Sequence, residues 1–202
     1  MKNPDSIRDA EIAWCKAYPG FLYTTAGICR YEAVTYCKDP TPWYTKLSQQ
    51  LEHPTNSKYI VAIGECGISS LSLLKYEKEL FEHMVELAEL HKKPILVKST
   101  TTVDHMLEIL DKHPDVSACL NIGYEMPEVG AVDKWIKKGY YLGISAGLWT
   151  WKKGKGTTLL DVLKTVPLEK LILQSNSPYL TDDSHETKID YISVIENTAD
   201  FR

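Results

Sequence analysis

KYIVAIGECG (58–67) is a continuous apolar run that stops at Gly64-Glu65-Cys66-Gly67, and a helical pattern follows it from about Leu73 to Lys92. In that helix Leu80, Met84, Leu87 and Ala88 share one face, while Glu77, Glu79, Glu82, Glu86 and Glu89 lie mostly outside it. PILVKS (94–99) then reads as a second short strand. Strands that are apolar on both faces, joined by helical crossovers, point to a parallel sheet covered by helices.

The alternation continues in both directions. Downstream come a helix over Val103 to Lys112, the strand VSACLNIG (116–123), a helix near Val129 to Lys138, the strand YYLGISAG (140–147), a helix near Thr158 to Thr165, and the strand LILQSNS (171–177). Upstream, DSIRDAEIAWCKAY (5–18) sets Ile7, Ala10, Trp14, Ala17 and Tyr18 at helical spacing, and FLYTTAGI (21–28) is aromatic and β-branched, as a strand would be. The irregular stretch from Cys29 to Ser57 contains Pro40, Pro42 and Pro54 and is expected to hold one helix around Trp43 to Leu51. The fold class expected is α/β, with about six parallel strands and surrounding helices.

At 202 residues the chain is expected to form a single domain spanning 1–202. Its 44% hydrophobic and 25% charged residues are ordinary globular values that exclude disorder and a coiled coil. The net charge of −4 gives the whole chain no pull toward nucleic acid or an anionic membrane, so any such contact must be a local patch. There is no uncharged apolar run of membrane-spanning length. The five cysteines, Cys15, Cys29, Cys37, Cys66 and Cys119, are odd in number and form no Cys-x-x-Cys pair, which suits a reducing compartment, cytoplasmic or nuclear.

Functional residues of parallel α/β proteins gather at the carboxyl ends of the strands. Here those ends read Gly27-Ile28-Cys29-Arg30-Tyr31, Gly64-Glu65-Cys66-Gly67, Lys98-Ser99-Thr100, Cys119-Leu120-Asn121-Ile122-Gly123, Ser145-Ala146-Gly147 and Gln174-Ser175-Asn176-Ser177-Pro178-Tyr179. Glu65 is the lone carboxylate among them, and no histidine joins it. A hydrolytic metal site needs several converging ligands, so no cofactor is expected from the residues themselves. Cys66 and Cys119 lack a neighbouring histidine base and read as buried, inert thiols.

VAIGECGIS (61–69), EKELFEHMVELAELHKKPILVKS (77–99), GYYLGISAG (139–147) and VPLEKLILQSNSPYL (166–180) together resemble the TatD family of metal-dependent deoxyribonucleases. The resemblance runs from about residue 8 to the end. It implies a TIM-type (β/α) barrel that holds one or two divalent ions and hydrolyses DNA. It also begins at the family's second crossover helix, so two of the usual eight strands have no expected counterpart here, and a barrel of about 250 residues is not expected to close. The unpaired sheet edges this would leave favour a partner chain or a second copy.

On the family's motifs this sequence departs at most functional positions. The first His-x-His pair has no counterpart. Cys29 and Tyr31 stand where the family has the two histidines of Gly-Val-His-Pro-His, Lys98 and Cys119 where it has two further histidines, and Gln174 and Asn176 where it has Glu and Asp. Only Glu65 is retained as a ligand. Lys98 brings a cation to the place of a neutral imidazole and would repel an ion or replace it by pairing with Glu65. The expectation is therefore a barrel-fold protein that has lost metal-dependent nuclease activity and serves as a binding or scaffold protein. The alternative is an active deoxyribonuclease using Mg, Mn or possibly Zn at Glu65. A third reading is a nucleic-acid-binding module: Trp149, Trp151, Lys152, Lys153 and Lys155 combine bases' stacking partners with phosphate-gripping cations, although a solvated loop would read the same way.

Overall fold

In a computed structural model, residues 4–69, 71–98, 102–122, 129–145 and 163–174 are described. Six strands, β1 (Thr24–Ala26), β2 (Ile60–Cys66), β3 (Ile95–Lys98), β4 (Ala118–Ile122), β5 (Tyr141–Ser145) and β6 (Leu171–Gln174), lie in that order in one curled sheet, every neighbouring pair parallel. The helices among the described residues are α1 (Pro4–Ala17), α2 (Ala33–Lys38), α3 (Thr41–Glu52), α4 (Leu74–Leu90), α5 (Val103–Leu110) and α6 (Val129–Lys137). The α/β architecture expected from the alternation of strand and helix is the one observed.

The core lies between sheet and helices. Ile63, Ile95, Val97, Leu120, Ile122, Leu142 and Ile144 have no exposed surface, and neither do Phe81, Met84 and Leu87 of α4, Met106 and Leu110 of α5 or Val132 and Trp135 of α6. Trp135 also donates its indole N–H to the Tyr141 carbonyl (2.8 Å), pinning α6 to β5. On the solvent side successive helices are joined by ion pairs: Lys78–Glu108 (2.8 Å), Lys112–Glu82 (2.5 Å), Lys134–Asp104 (2.8 Å) and Lys138–Asp111 (2.5 Å).

Four local expectations are corrected. β1 is shorter than 21–28, because Phe21 and Leu22 are held in a turn by N–H bonds to the Tyr18 carbonyl. The 29–57 connection holds two helices rather than one, since Pro40 separates α2 from α3, and Pro42 suits the first turn of α3. Glu77 departs from the other α4 glutamates: it is buried and its carboxylate accepts the Ser69 N–H (2.7 Å), satisfying backbone in the β2–α4 connection. In α1 the stripe Ala10, Trp14, Ala17 and Tyr18 faces outward, whereas Ile12 and Cys15 are buried. Between these faces Glu11 accepts a hydrogen bond from Thr24 of β1 (2.9 Å). The helix expected near 158–165 falls largely outside the described residues.

Candidate functional site

Strict alternation along β2 would aim Glu65 into the apolar layer beside Ile63. Instead the register slips between Gly64 and Cys66: Gly64 pairs with Leu96, Cys66 pairs with Val97, and Glu65 is the extra residue of a bulge. The Gly64–Glu65 peptide is cis. Gly64 (φ +134°) and Gly67 (φ +145°) occupy backbone conformations open to glycine, and a Cβ at either would run into a carbonyl oxygen of β3, that of Leu96 or Lys98. The Gly-Glu-Cys-Gly motif thereby turns its carboxylate onto the face opposite the helix-covered core.

Three side chains from three strands meet on that face. Lys98, at the end of β3, places Nζ 3.5 Å from Glu65 Oε2. Asn121, paired with Lys98 across the β3–β4 ladder, donates its Nδ2–H to Glu65 Oε1 (3.2 Å). Gly143 follows on β5, where a Cβ would lie 2.5 Å from Asn121 Oδ1 and 3.3 Å from Gln174 Oε1; its bare Cα leaves the room both amides occupy. Cys119 lies two residues before Asn121 on the same face and directs its thiol toward Asn121 Oδ1 (3.9 Å). Asn121 is a member of this cluster that motif comparison missed. Its signal was available, as it stands two residues beyond Cys119 at a strand end.

The donor set is not that of a divalent-metal cage. Glu65 is paired on one oxygen with an ammonium and hydrogen-bonded on the other to an amide. Burial pushes the Cys119 thiol up to about 12, partly offset by the Gly143 backbone, so near neutral pH it is a protonated thiol and not a zinc-binding thiolate. Burial, with the Glu65 charge and Cys29 adding to it, pushes the Cys66 thiol up still further. Among the described residues no three His, Cys, Asp or Glu side chains converge to share an ion. These residues do not fit one or two divalent ions.

The other expected site residues are dispersed. Cys29 is exposed, and Tyr31, 78% exposed, takes a hydrogen bond from Arg30 at the start of the β1–α2 connection (2.9 Å). Gln174 ends β6 within reach of Gly143. Asn176, Trp149, Trp151, Lys152, Lys153 and Lys155 lie outside the described residues. All five cysteines are free, and no helix among the described residues is long and apolar enough to cross a membrane. His83 shares a hydrogen bond with Tyr36 (2.9 Å) between α4 and α2.

Comparison with known proteins gives a consistent result. The family described as TatD related DNase matches residues 3–201. The 3'-5' ssDNA/RNA exonuclease TatD of Pantoea vagans is 24% identical over 171 residues, 82% of this chain and 61% of that protein. The protein of the same name from Edwardsiella piscicida is 26% identical over 172 residues, with the same two shares, 82% and 61%. The chain thus spans about three fifths of the length of these curated relatives. In fold it is similar to the TatD homolog YjjV from Escherichia coli K12 (TM-score 0.73, 17% identity, 96% of this chain and 74% of that one). It is also similar to a TatD family hydrolase from Entamoeba histolytica (TM-score 0.67, 16% identity, 85% and 57%).

Proposed function

Because the chain belongs to the TatD-related DNase family, we propose that it keeps the family's scaffold, has exchanged the metal-centred hydrolytic site for an ion-paired polar one, and works by binding rather than by metal-dependent cleavage. The observation that carries this reading is the Lys98 ammonium 3.5 Å from the Glu65 carboxylate. A divalent cation brought to Glu65 would meet that fixed positive charge, and the lysine nitrogen has no lone pair to offer while it is protonated. Asn121 donates to the other oxygen, so an ion at this carboxylate would compete with a partner on each oxygen. Asn176 in place of a family aspartate adds to the same reading, since an amide neither carries the charge nor acts as a general base.

Under this reading partners are held, not turned over. The single-stranded DNA or RNA handled by the relatives is the first partner class to consider, and the cationic and aromatic residues from Trp149 to Lys155 are the segment suited to grip it. The strands outermost among the described residues, β1 and β6, offer a further means of association by strand addition. Five free thiols suit a reducing compartment, cytosol or nucleus.

A second reading, a working exonuclease on single-stranded DNA or RNA, is favoured by the retained Glu65 and by the relatives' shared activity name. One experiment separates the two. Purified protein is assayed on single-stranded DNA and RNA with Mg2+, Mn2+ or Zn2+, alongside Glu65→Ala and a determination of bound metal. The binding reading expects no cleavage above that of Glu65→Ala and far less than one metal per chain. Cleavage that Glu65→Ala abolishes would overturn it.

A further inference from the structure

Helix α4 carries five glutamates, and four of them are engaged. Glu77 accepts the Ser69 N–H, Glu79 interacts with the Cys37 thiol, Glu82 pairs with Lys112 and Glu89 with His113. Glu86 has no hydrogen bond or ion pair with a described residue. It lines a cavity of about 320 Å3 between α2, α3 and α4. Thr41, Tyr44 and Thr45 of α3 stand on the other side, and Tyr36 of α2 lies beside His83 at the bottom. Tyr36 is only 1% exposed. Its hydroxyl is 2.9 Å from His83 Nδ1, and the two rings meet edge to face with centroids 5.6 Å apart. That contact ties α2 to α4 and fixes the floor. Every wall belongs to the β1–β2 connection or to α4, so the cavity is bounded by described elements on all sides.

The lining selects the ligand. Glu86 brings a negative charge, and no lysine or arginine lines the cavity to balance it, so an anion would be repelled. Burial first, and then Cys37, Tyr44, Glu79 and Glu86, push the Tyr36 hydroxyl up to about 12, which keeps it a neutral phenol near neutral pH. A bare divalent ion requires several converging anionic or imidazole ligands and would find one carboxylate. A protonated amine requires less: one carboxylate, oxygen acceptors for its N–H groups, and aromatic surface that attracts a cation. Glu86, the two threonine hydroxyls, and the Tyr36 and Tyr44 rings are of those kinds. The volume stands at the small end of ligand cavities, about 300–1,000 Å3, which suits a molecule of one ring or a short chain.

We propose that the cavity between α2, α3 and α4 is a binding site for a small organic ammonium ion, with Glu86 as its counter-ion. The site lies in the helix layer, across the sheet from Glu65, and is independent of what the strand-end cluster does. The test is a 1H–15N NMR titration of the full chain at neutral pH and low salt with 2-phenylethylammonium, up to about 10 mM. The uncharged 2-phenylethanol and the anion 3-phenylpropanoate are titrated alongside, and Glu86→Gln and Thr45→Arg are compared with wild type. The expected result is a saturable shift of amides in 36–45 and 83–86 with a dissociation constant on the order of 1 mM. Glu86→Gln should weaken it about threefold to fivefold, the two analogues should bind at least about threefold more weakly, and Thr45→Arg, which brings a tethered cation to the wall, should abolish it. Glu86 and Thr45 are exposed, so the fold tolerates these changes; should Thr45→Arg nonetheless fail to fold, Glu86→Gln and the uncharged analogue still decide. Absence of a saturable shift in these two segments, 2-phenylethanol binding as tightly as the ammonium, or Glu86→Gln binding as tightly as wild type would each overturn the proposal.

Discussion

Glu65 reaches the polar face through a single inserted residue, and the two glycines around it make the insertion possible. At Gly64 an added methyl group meets both an unfavourable positive φ and the Leu96 carbonyl, neither of which can give way without moving β3. Gly143 is different, because its obstacle is the Asn121 side chain, 2.5 Å away, which can rotate at the expense of its bond to Glu65. Gly64→Ala should therefore lose more than about 3 kcal/mol or fail to fold, while Gly143→Ala should lose about 1–2 kcal/mol and keep the fold. Urea denaturation of the two variants beside wild type measures the difference, and equal losses would contradict the bulge as the element that presents Glu65. The Glu65–Lys98 pairing was readable from the sequence, since a cation in place of an imidazole at the adjoining strand end leaves the carboxylate one evident partner. Asn121 could have been found by its place at the same strand end, two residues beyond Cys119, but an amide within a buried run carries no charge to draw notice.

At the scale of elements, the helix layer is held from below by burial and from above by the ion pairs that link α4 to α5 and α5 to α6. Exposed pairs of this kind contribute little each, typically under about 1 kcal/mol. The Lys112–Glu82 pair has a pH signature. The hydrogen bond from Lys112, more than its charge, holds the Glu82 carboxyl below the ordinary carboxylate range. A carboxyl group whose folded value is depressed adds stability above its ordinary value and loses it as the pH falls through the folded one. The stability gap between wild type and Lys112→Ala should thus be full near neutral pH and shrink as the pH falls below the ordinary carboxylate range. Urea titrations near neutral pH and below that range check this, and a gap that widens in acid would contradict it. Helix existence followed from periodicity, as in α4, where Leu80, Met84, Leu87 and Ala88 all face the core as spaced. Orientation did not always follow. α1 has apolar residues on two sides, and it is Ile12 and Cys15 that turn inward, with Glu11 bonded to Thr24 of β1.

For the molecule as a whole, the strand-end cluster satisfies itself with its own ammonium, amide and thiol. Stability should accordingly be independent of divalent metal. A ligand that binds only the folded state at 100 times its dissociation constant would add about 2.7 kcal/mol, so millimolar Mn2+ and excess EDTA should leave Tm within about 1 °C of each other. A rise of several degrees with Mn2+ that disappears in Glu65→Gln would point instead to an ion held at that carboxylate.

Fold class and strand order were determined by the sequence alone, because apolar runs and helical stripes are local, periodic features and short crossovers keep consecutive parallel strands adjacent. The character of the strand-end site was legible in outline from which residue types stand at Lys98, Cys119 and Gln174. Only the tertiary structure decided that Glu65 escapes its strand's alternation, that Glu77 is buried to satisfy a loop amide, and that the aromatic stripe of α1 faces outward. Each depends on contacts between separate elements: a bulge fixed against β3, a carboxylate of α4 reaching back to Ser69, and a helix packed against its neighbouring strand.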